Sequence, residues 1–517
     1  MARDRLRTGG RRAIDRQPGW SRLDWAALSL VTAGAALIRL AGLSRPIGFV
    51  FDEIFYSQNA CRYVLGTAEC GVEGLVSRAH PPLGNWMIGA GIKAFGYDEF
   101  GWRVAAALAG TLTVALLYVL VRRLLQDPVA GAAMPPTAAT VGSFVAAALL
   151  AGDFLHLVQS RIAMLDAFVT LFVVAAVLFA VLDRERDRRA AWERSPAGWL
   201  SRLALGRPWR LLAGASLGAA VAVKWSGGYI GLGVITLILV WEVAARRRDS
   251  GDPDAPRRPW AAVLRRTAAE EGPRSLVLLV VVPILVYLAA YIGRIPGEVV
   301  GLPWQEGTIW RGIWEHQFAM LGFHTSLLGN HPYESPPWSW LLLKRPVAYF
   351  FTDEGGVYRE IMAIGNPLAW GGGLLALVGC VVAWARAGWR LDRPEAALVI
   401  AVLATWLPWL ILSGSRSQVF LWYILPTIPF LYAALGIMAA RAWRVAVGRA
   451  AVAAFAAACL VLFLFFFPVL TALPLEPDAW RTRIWLTDCE RPGGAPTLTL
   501  PDDEINSGPP PEGWCWI

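Results

Sequence analysis

Lysine is almost missing from this chain of 517 residues: Lys93, Lys224 and Lys344 stand alone, and arginine supplies the rest of the 48 basic side chains. Charge of either sign is sparse, at 17%, where ordinary globular chains carry about a quarter. The six cysteines form no C-x-x-C and no Cys/His zinc spacing. No internal repeat stands out. These shortages exclude a disordered chain, a coiled coil, a collagen and a disulfide-dense secreted scaffold. What is abundant is apolar surface, with 56% hydrophobic residues and a mean hydropathy of +0.46. Long apolar runs recur from end to end, which points to an all-α polytopic membrane protein.

A membrane helix needs about 20 apolar residues. Eleven windows qualify, at about 25–43, 101–121, 138–152, 163–182, 210–224, 228–245, 275–293, 366–385, 394–412, 418–439 and 450–472. The third and fifth are short. The runs are continuous and do not alternate, so they read as helices and not as barrel strands. With the N-terminus inside, 31 of the 48 basic residues fall in the inner stretches. The positive-inside rule therefore sets the orientation, and the basic excess is topological and not a nucleic-acid footprint. The first run is long and no small-x-small site follows it, so it reads as a retained span. This divides the chain into a cytoplasmic N-terminus (1–24), a membrane unit (25–472) and an outer tail (473–517), with large outer loops at 44–100 and 294–365. The expected location is the plasma membrane. Cys61 and Cys70 fall in the first outer loop and Cys489 and Cys515 in the tail, where an oxidising face makes two disulfides plausible.

Charges at the membrane edge are the informative ones, because an unpaired charge in lipid is costly. Four stretches carry them or lie beside them. Asp52 and Glu53 follow an apolar entry soon after the first run, and adjacent side chains in extended chain point to opposite sides. One acid is placed to take a proton and the other to orient a basic group; a hydrated loop start is the plain alternative, and no D-x-D triplet flanks the pair as a metal site would ask. His80-Pro81-Pro82-Leu83-Gly84 leads into an amphipathic helix over 83–96, expected to lie on the membrane surface with Trp86 as its anchor. Arg161 and Asp166 sit near the outer end of the fourth run. Asp166 needs a partner, for which Arg39 and Lys224 are at similar depth. Several outer-end cations suit a lipid phosphate, or a structural ion-pair network. The fourth stretch, His331 to Trp340 with Arg345 behind it, is dense in Pro, Trp and Tyr and reads as an ordered loop pressed on the interface.

Taken in order, Val50-Phe51-Asp52-Glu53, His80-Pro81-Pro82-Leu83-Gly84, Arg161 to Asp166, Val223-Lys224-Trp225 and the His331 to Trp340 run resemble the protein O-mannosyltransferases, in their actinobacterial branch. The resemblance implies the GT-C fold, with about eleven membrane helices and interfacial helices in the two large outer loops. Inverting transfer of mannose from polyprenyl-phosphate mannose to Ser or Thr of an acceptor polypeptide is also implied. That transfer would take place on the outer face as the acceptor leaves the secretion channel. Eukaryotic relatives carry a β-trefoil domain in the second outer loop, for which 294–365 has no room, and Asn85 stands where many relatives have lysine. On this footing Asp52 is the expected base, with Glu53 beside it, and Arg161, Arg39 and Lys224 are the expected phosphate ligands. His80, Asp166, His331, Tyr333, Glu334, Trp338 and Arg345 are expected to support the site or face the acceptor. On this footing no cofactor is required, and a divalent metal is left open. Competing readings are a GT-C transferase acting on a cell-wall lipid or glycan, and a lipid transporter without enzymatic activity.

Overall fold

The computed structural model describes residues 20–65, 67–72, 76–126, 134–190, 207–248, 259–292, 309–326, 333–412 and 418–485. Among the described residues nine helices are long and apolar enough to cross a membrane. They are α1 (Arg22–Leu40), α4 (Glu99–Leu125), α7 (Leu165–Ala190), α9 (Tyr229–Arg248), α10 (Trp260–Ala289), α12 (Pro367–Arg386), α13 (Pro394–Leu412), α14 (Leu421–Ala442) and α15 (Ala446–Leu470). The two short windows of the sequence are occupied by apolar helices of 16 residues each, α5 (Pro136–Ala151) and α8 (Pro208–Val223). The first outer loop contributes α2 (Glu53–Val64) and α3 (Leu83–Phe95), and the short α6 (Phe154–Gln159) links α5 to α7. The second contributes α11 (Ile309–Ser326) and an antiparallel hairpin of β1 (Val347–Asp353) and β2 (Tyr358–Ala363).

Local chemistry sets the helix ends. Ser21 and Asp24 form a reciprocal capping box at the start of α1. Asp24 also takes Arg122 at 2.6 Å and Thr140 at 2.6 Å, so one buried carboxylate ties α1, α4 and α5 together at that end of the bundle. A second buried network there joins Asp183, Arg207, Arg210, Glu242 and Glu271. Small residues allow close helix approach: a Cβ on Gly142 of α5 would collide with the Gly436 carbonyl of α14.

Three features depart from the sequence reading. The hairpin is one, since no strand was expected; its apolar face joins the main core through Tyr349, Phe350 and Ile361. The second is the start of the tail. Leu475 pairs with Tyr358, and buried Trp480 of α16 (Pro477–Arg481) donates its indole N–H to Glu360 at 2.6 Å. Residues 473–485 therefore pack on the hairpin through Leu475 and Trp480 and on α15 through Arg483 and Trp485. The third is Trp86. It was expected to anchor α3 in the interface, yet its indole N–H donates to the Ala290 carbonyl at 3.0 Å and its ring meets Tyr63.

Candidate active site

Asp52 ends the loop that leaves α1 and stands at the N-cap of α2. Phe51 before it has φ +53°, in the left-handed region that costs a non-glycine residue about 1 kcal/mol or more. Ring packing offsets that cost: Phe51 stacks on Tyr349 at 4.4 Å and meets Trp422 edge-on at 5.3 Å. The Asp52 carboxylate, half-buried, lies in a cluster of its own. Tyr56, one turn on, donates to Asp52 Oδ2 at 3.4 Å. Lys224 and Asp166 pair at 3.0 Å, close enough to act on Asp52 in opposite directions. Burial raises the Asp52 carboxyl to about 6; Lys224 draws it down and Asp166 pushes it up. Burial and the same carboxylates hold the Tyr56 hydroxyl well above the ordinary phenol range, so it remains a donor.

The remaining members close a ring. Tyr56 lies 6.0 Å from the His80 ring, His80 lies 5.5 Å from His324, and His324 lies 6.3 Å from Trp225. Trp225 adjoins Lys224, whose ammonium sits 4.6 Å above the Tyr423 ring. Two histidines of α11 hold the motif in place: His316 bonds the Arg78 carbonyl at 3.1 Å and His324 the Ala79 carbonyl at 3.0 Å. Burial depresses His316 to about 4, which fits a neutral ring accepting from Tyr291.

Several expected site residues are committed elsewhere. Glu53 is fully buried, and its carboxylate takes four donors: Arg103 Nε at 2.9 Å and Nη2 at 2.8 Å, Val50 N at 2.8 Å and Ala163 N at 2.8 Å. A carboxylate offers about four lone-pair sites, so none is left for an acceptor. Glu53 does orient a cation, but that cation is Arg103, and Arg103 in turn holds the carbonyls of Leu43, Pro46 and Gly48. Arg161 was the first choice for the donor phosphate. Its guanidinium instead caps the end of α1, giving Nη1 to the carbonyls of Ile38, Arg39 and Ala41 and Nη2 to Gly42. Arg39, fully buried, is spent on Ser160, Ala35, Ala151 and His156. Of the three expected phosphate ligands, Lys224 is the one in the Asp52 cluster.

The fourth stretch flanks the cluster. Tyr333 is buried in the main core, and Ser335 N–H donates to the Val419 carbonyl, which ties this segment to the strand of chain leading to Tyr423. Glu334 is half-buried beside it. Trp338 is 56% exposed and faces Lys344, and Arg345 is exposed at φ +56°, just ahead of β1. Their exposure places Trp338 and Arg345 on the surface. His331, Cys489 and Cys515 lie outside the described residues. Cys61 and Cys70 are bonded to each other. Among the described residues no three His, Cys, Asp or Glu side chains converge as a metal would require. Tyr56, His324, Tyr349 and Tyr423 are the residues that reasoning from sequence missed. Tyr56 had a usable signal, four residues after Asp52 on one helix face. His324, Tyr349 and Tyr423 had none, since only tertiary packing brings them here.

The family model described as Dolichyl-phosphate-mannose-protein mannosyltransferase matches residues 29–296, and that of the C-terminal four TMM region of protein-O-mannosyltransferase matches 309–489. A polyprenol-phosphate-mannose–protein mannosyltransferase of Mycobacterium tuberculosis is 30% identical over 92% of this chain and 92% of its own. One from Corynebacterium glutamicum is 27% identical over 90% of this chain and 94% of its own. Among solved structures, the S. cerevisiae protein O-mannosyltransferase Pmt1-Pmt2 complex bound to the sugar donor superposes with a TM-score of 0.67, at 14% identity, over 90% of this chain and 92% of that one. The chain has the GT-C fold, and it belongs to the dolichyl-phosphate-mannose-protein mannosyltransferase family.

Proposed function

We propose that this protein transfers mannose from polyprenyl-phosphate mannose to Ser or Thr hydroxyls of a polypeptide on the outer face of the plasma membrane. On this proposal residues 1–24 are inside, 25–472 form the catalytic unit and 473–517 are outside. The acceptor is met as it leaves the secretion channel. One observation carries the reading within the family: a half-buried carboxylate, Asp52, with its acidity tuned to about 6, stands beside the Lys224–Asp166 pair. A general base works best with a pKa near the operating pH.

The chemistry is a single displacement. The acceptor oxygen bonds to the anomeric carbon, the bond from that carbon to the phosphate oxygen breaks, and the hydroxyl proton passes to Asp52. The leaving polyprenyl phosphate is a stable anion, so it needs positive charge at its oxygens and no general acid. Lys224 supplies that charge, with Asp166 as the group that holds the ammonium in place. Tyr56 orients the base through its hydroxyl. His80 and His324 form the wall on the side of the first outer loop.

The test is Asp52→Asn assayed with mannosyl phospholipid and a Ser/Thr peptide. Transfer falls by two orders of magnitude or more, while donor binding and folding persist. Because folding raises this carboxyl from 3.8 to about 6, its ionisation opposes folding above that range. The variant is therefore the more stable form at pH 7, by up to about 3 kcal/mol, and loses that advantage as pH falls toward 4. Near-normal transfer would reject Asp52 as the base. A glycan or glycolipid accepted in place of the peptide would reject the acceptor class.

A further inference from the structure

At the end of the bundle opposite Asp52, α1, α5 and α15 enclose a groove of about 290 Å³ between Leu23, Ala27, Val141, Phe144, Val452 and Ala456. Its accessible wall is apolar. Thr140, at its base, turns its hydroxyl to Asp24 and the Pro136 carbonyl instead. The rim is cationic. Arg22 precedes Leu23, Arg444 follows Trp443, and Arg449 lies one turn before Val452; all three are exposed. No acidic residue occurs between 440 and 460, and nearby Asp24 is buried against Arg122. Trp20 and Trp25, in ring contact at 4.7 Å, together with Trp443 mark the level of a membrane interface.

We propose that this groove is a binding site for an anionic diacyl phospholipid, with one acyl chain between α1, α5 and α15 and the phosphate group at Arg444 and Arg449. The dimensions select the occupant. At about 290 Å³ the groove has room for part of one acyl chain. A helix with side chains is about 10 Å across and does not fit within it. The charge selects the headgroup, because three exposed arginines attract an anion, and guanidinium grips phosphate oxygens in pairs. The site lies at the far end of the bundle from the Asp52 cluster, so it is separate from any donor or acceptor site. The proposal does not depend on the transfer reaction.

The full-length protein in detergent is titrated with dioleoyl phosphatidylglycerol or dioleoyl phosphatidylcholine, reading bound lipid by native mass spectrometry and the thermal midpoint. Phosphatidylglycerol is retained at one per chain and raises the midpoint; phosphatidylcholine does neither. Arg444→Gln and Arg449→Gln each weaken retention about fivefold. Ala456→Trp fills the groove and abolishes retention while leaving the lipid-free midpoint in place. Should that variant fail to fold, Ala453→Leu provides the same steric test from the exposed edge. Equal retention of both lipids, or retention unchanged by the arginine and groove substitutions, overturns the proposal. So does displacement by equimolar undecaprenyl phosphate, or a cross-linked second copy seated on α15.

Discussion

Glu53→Gln separates a structural from a catalytic role for the second acid of the Asp-Glu pair. Glu53 and Arg103 are both fully buried, and the carboxylate accepts two backbone N–H groups besides the guanidinium. An amide of the same shape keeps one oxygen and turns an NH₂ toward donors, while Arg103 keeps an uncompensated charge. Removing one partner of a buried pair costs about 3–5 kcal/mol. For a chain of 517 residues each kcal/mol moves the midpoint by about 1 °C, so a fall of about 3–5 °C is expected in detergent. The loop from Leu43 to Asp52 should become sensitive to protease, because Arg103 and Glu53 are its anchors. Transfer also falls, since Asp52 is adjacent, so activity alone does not discriminate. The decisive assay is a double-mutant cycle with Arg103→Met. The structure requires a coupling of about 2 kcal/mol or more, because the two side chains share two bonds. A variant with an unchanged midpoint, an intact loop and a raised KM for the peptide would refute the clamp and restore Glu53 to the acceptor.

Other outcomes follow from the same geometry. With Asp52 raised to about 6, transfer declines as pH drops through 6, tenfold per pH unit below it, and Tyr56→Phe moves the midpoint of that profile upward by removing a bond that favours the charged form. Arg161→Met lowers the thermal midpoint by uncapping α1, at about 2–4 kcal/mol, and leaves donor affinity within about threefold. Lys224→Met weakens donor engagement by tenfold or more and also lowers the midpoint, because it strands the buried Asp166 carboxylate; a titration with mannosyl phospholipid compares the two variants directly. Trp480→Ala strips a buried ring and the bond to Glu360, and a loss of about 3–5 kcal/mol read by thermal unfolding checks whether the tail is part of the fold.

The membrane architecture was legible because hydropathy is a local property. Each of the eleven apolar windows holds a helix, two of them shorter than a full span. Disulfide pairing of Cys61 with Cys70 was legible too, from their place in one loop. Charge roles were not. Sequence placed Arg39, Arg161 and Lys224 at similar depth, and only the rotamers decide that two of them point at backbone carbonyls while the third faces Asp52. Arg161 shows the reason: a guanidinium suits a helix C-terminus as well as a phosphate, and both offer clustered partial negative charge. The hairpin was hidden because Val347–Asp353 is apolar over five residues and then polar, with no alternation to reveal a strand.

The ring around Asp52 draws on positions 52, 56, 80, 166, 224, 324 and 423, spread across most of the chain. No contiguous stretch holds the base, the cation and the aromatic floor under that cation together. A ribosome threading this protein into a bilayer has therefore made some four-fifths of it before Tyr423 arrives beneath Lys224. Until then the carboxylate of Asp52 has no finished pocket around it. The pocket thus closes only when the last quarter of the chain has folded back onto the first.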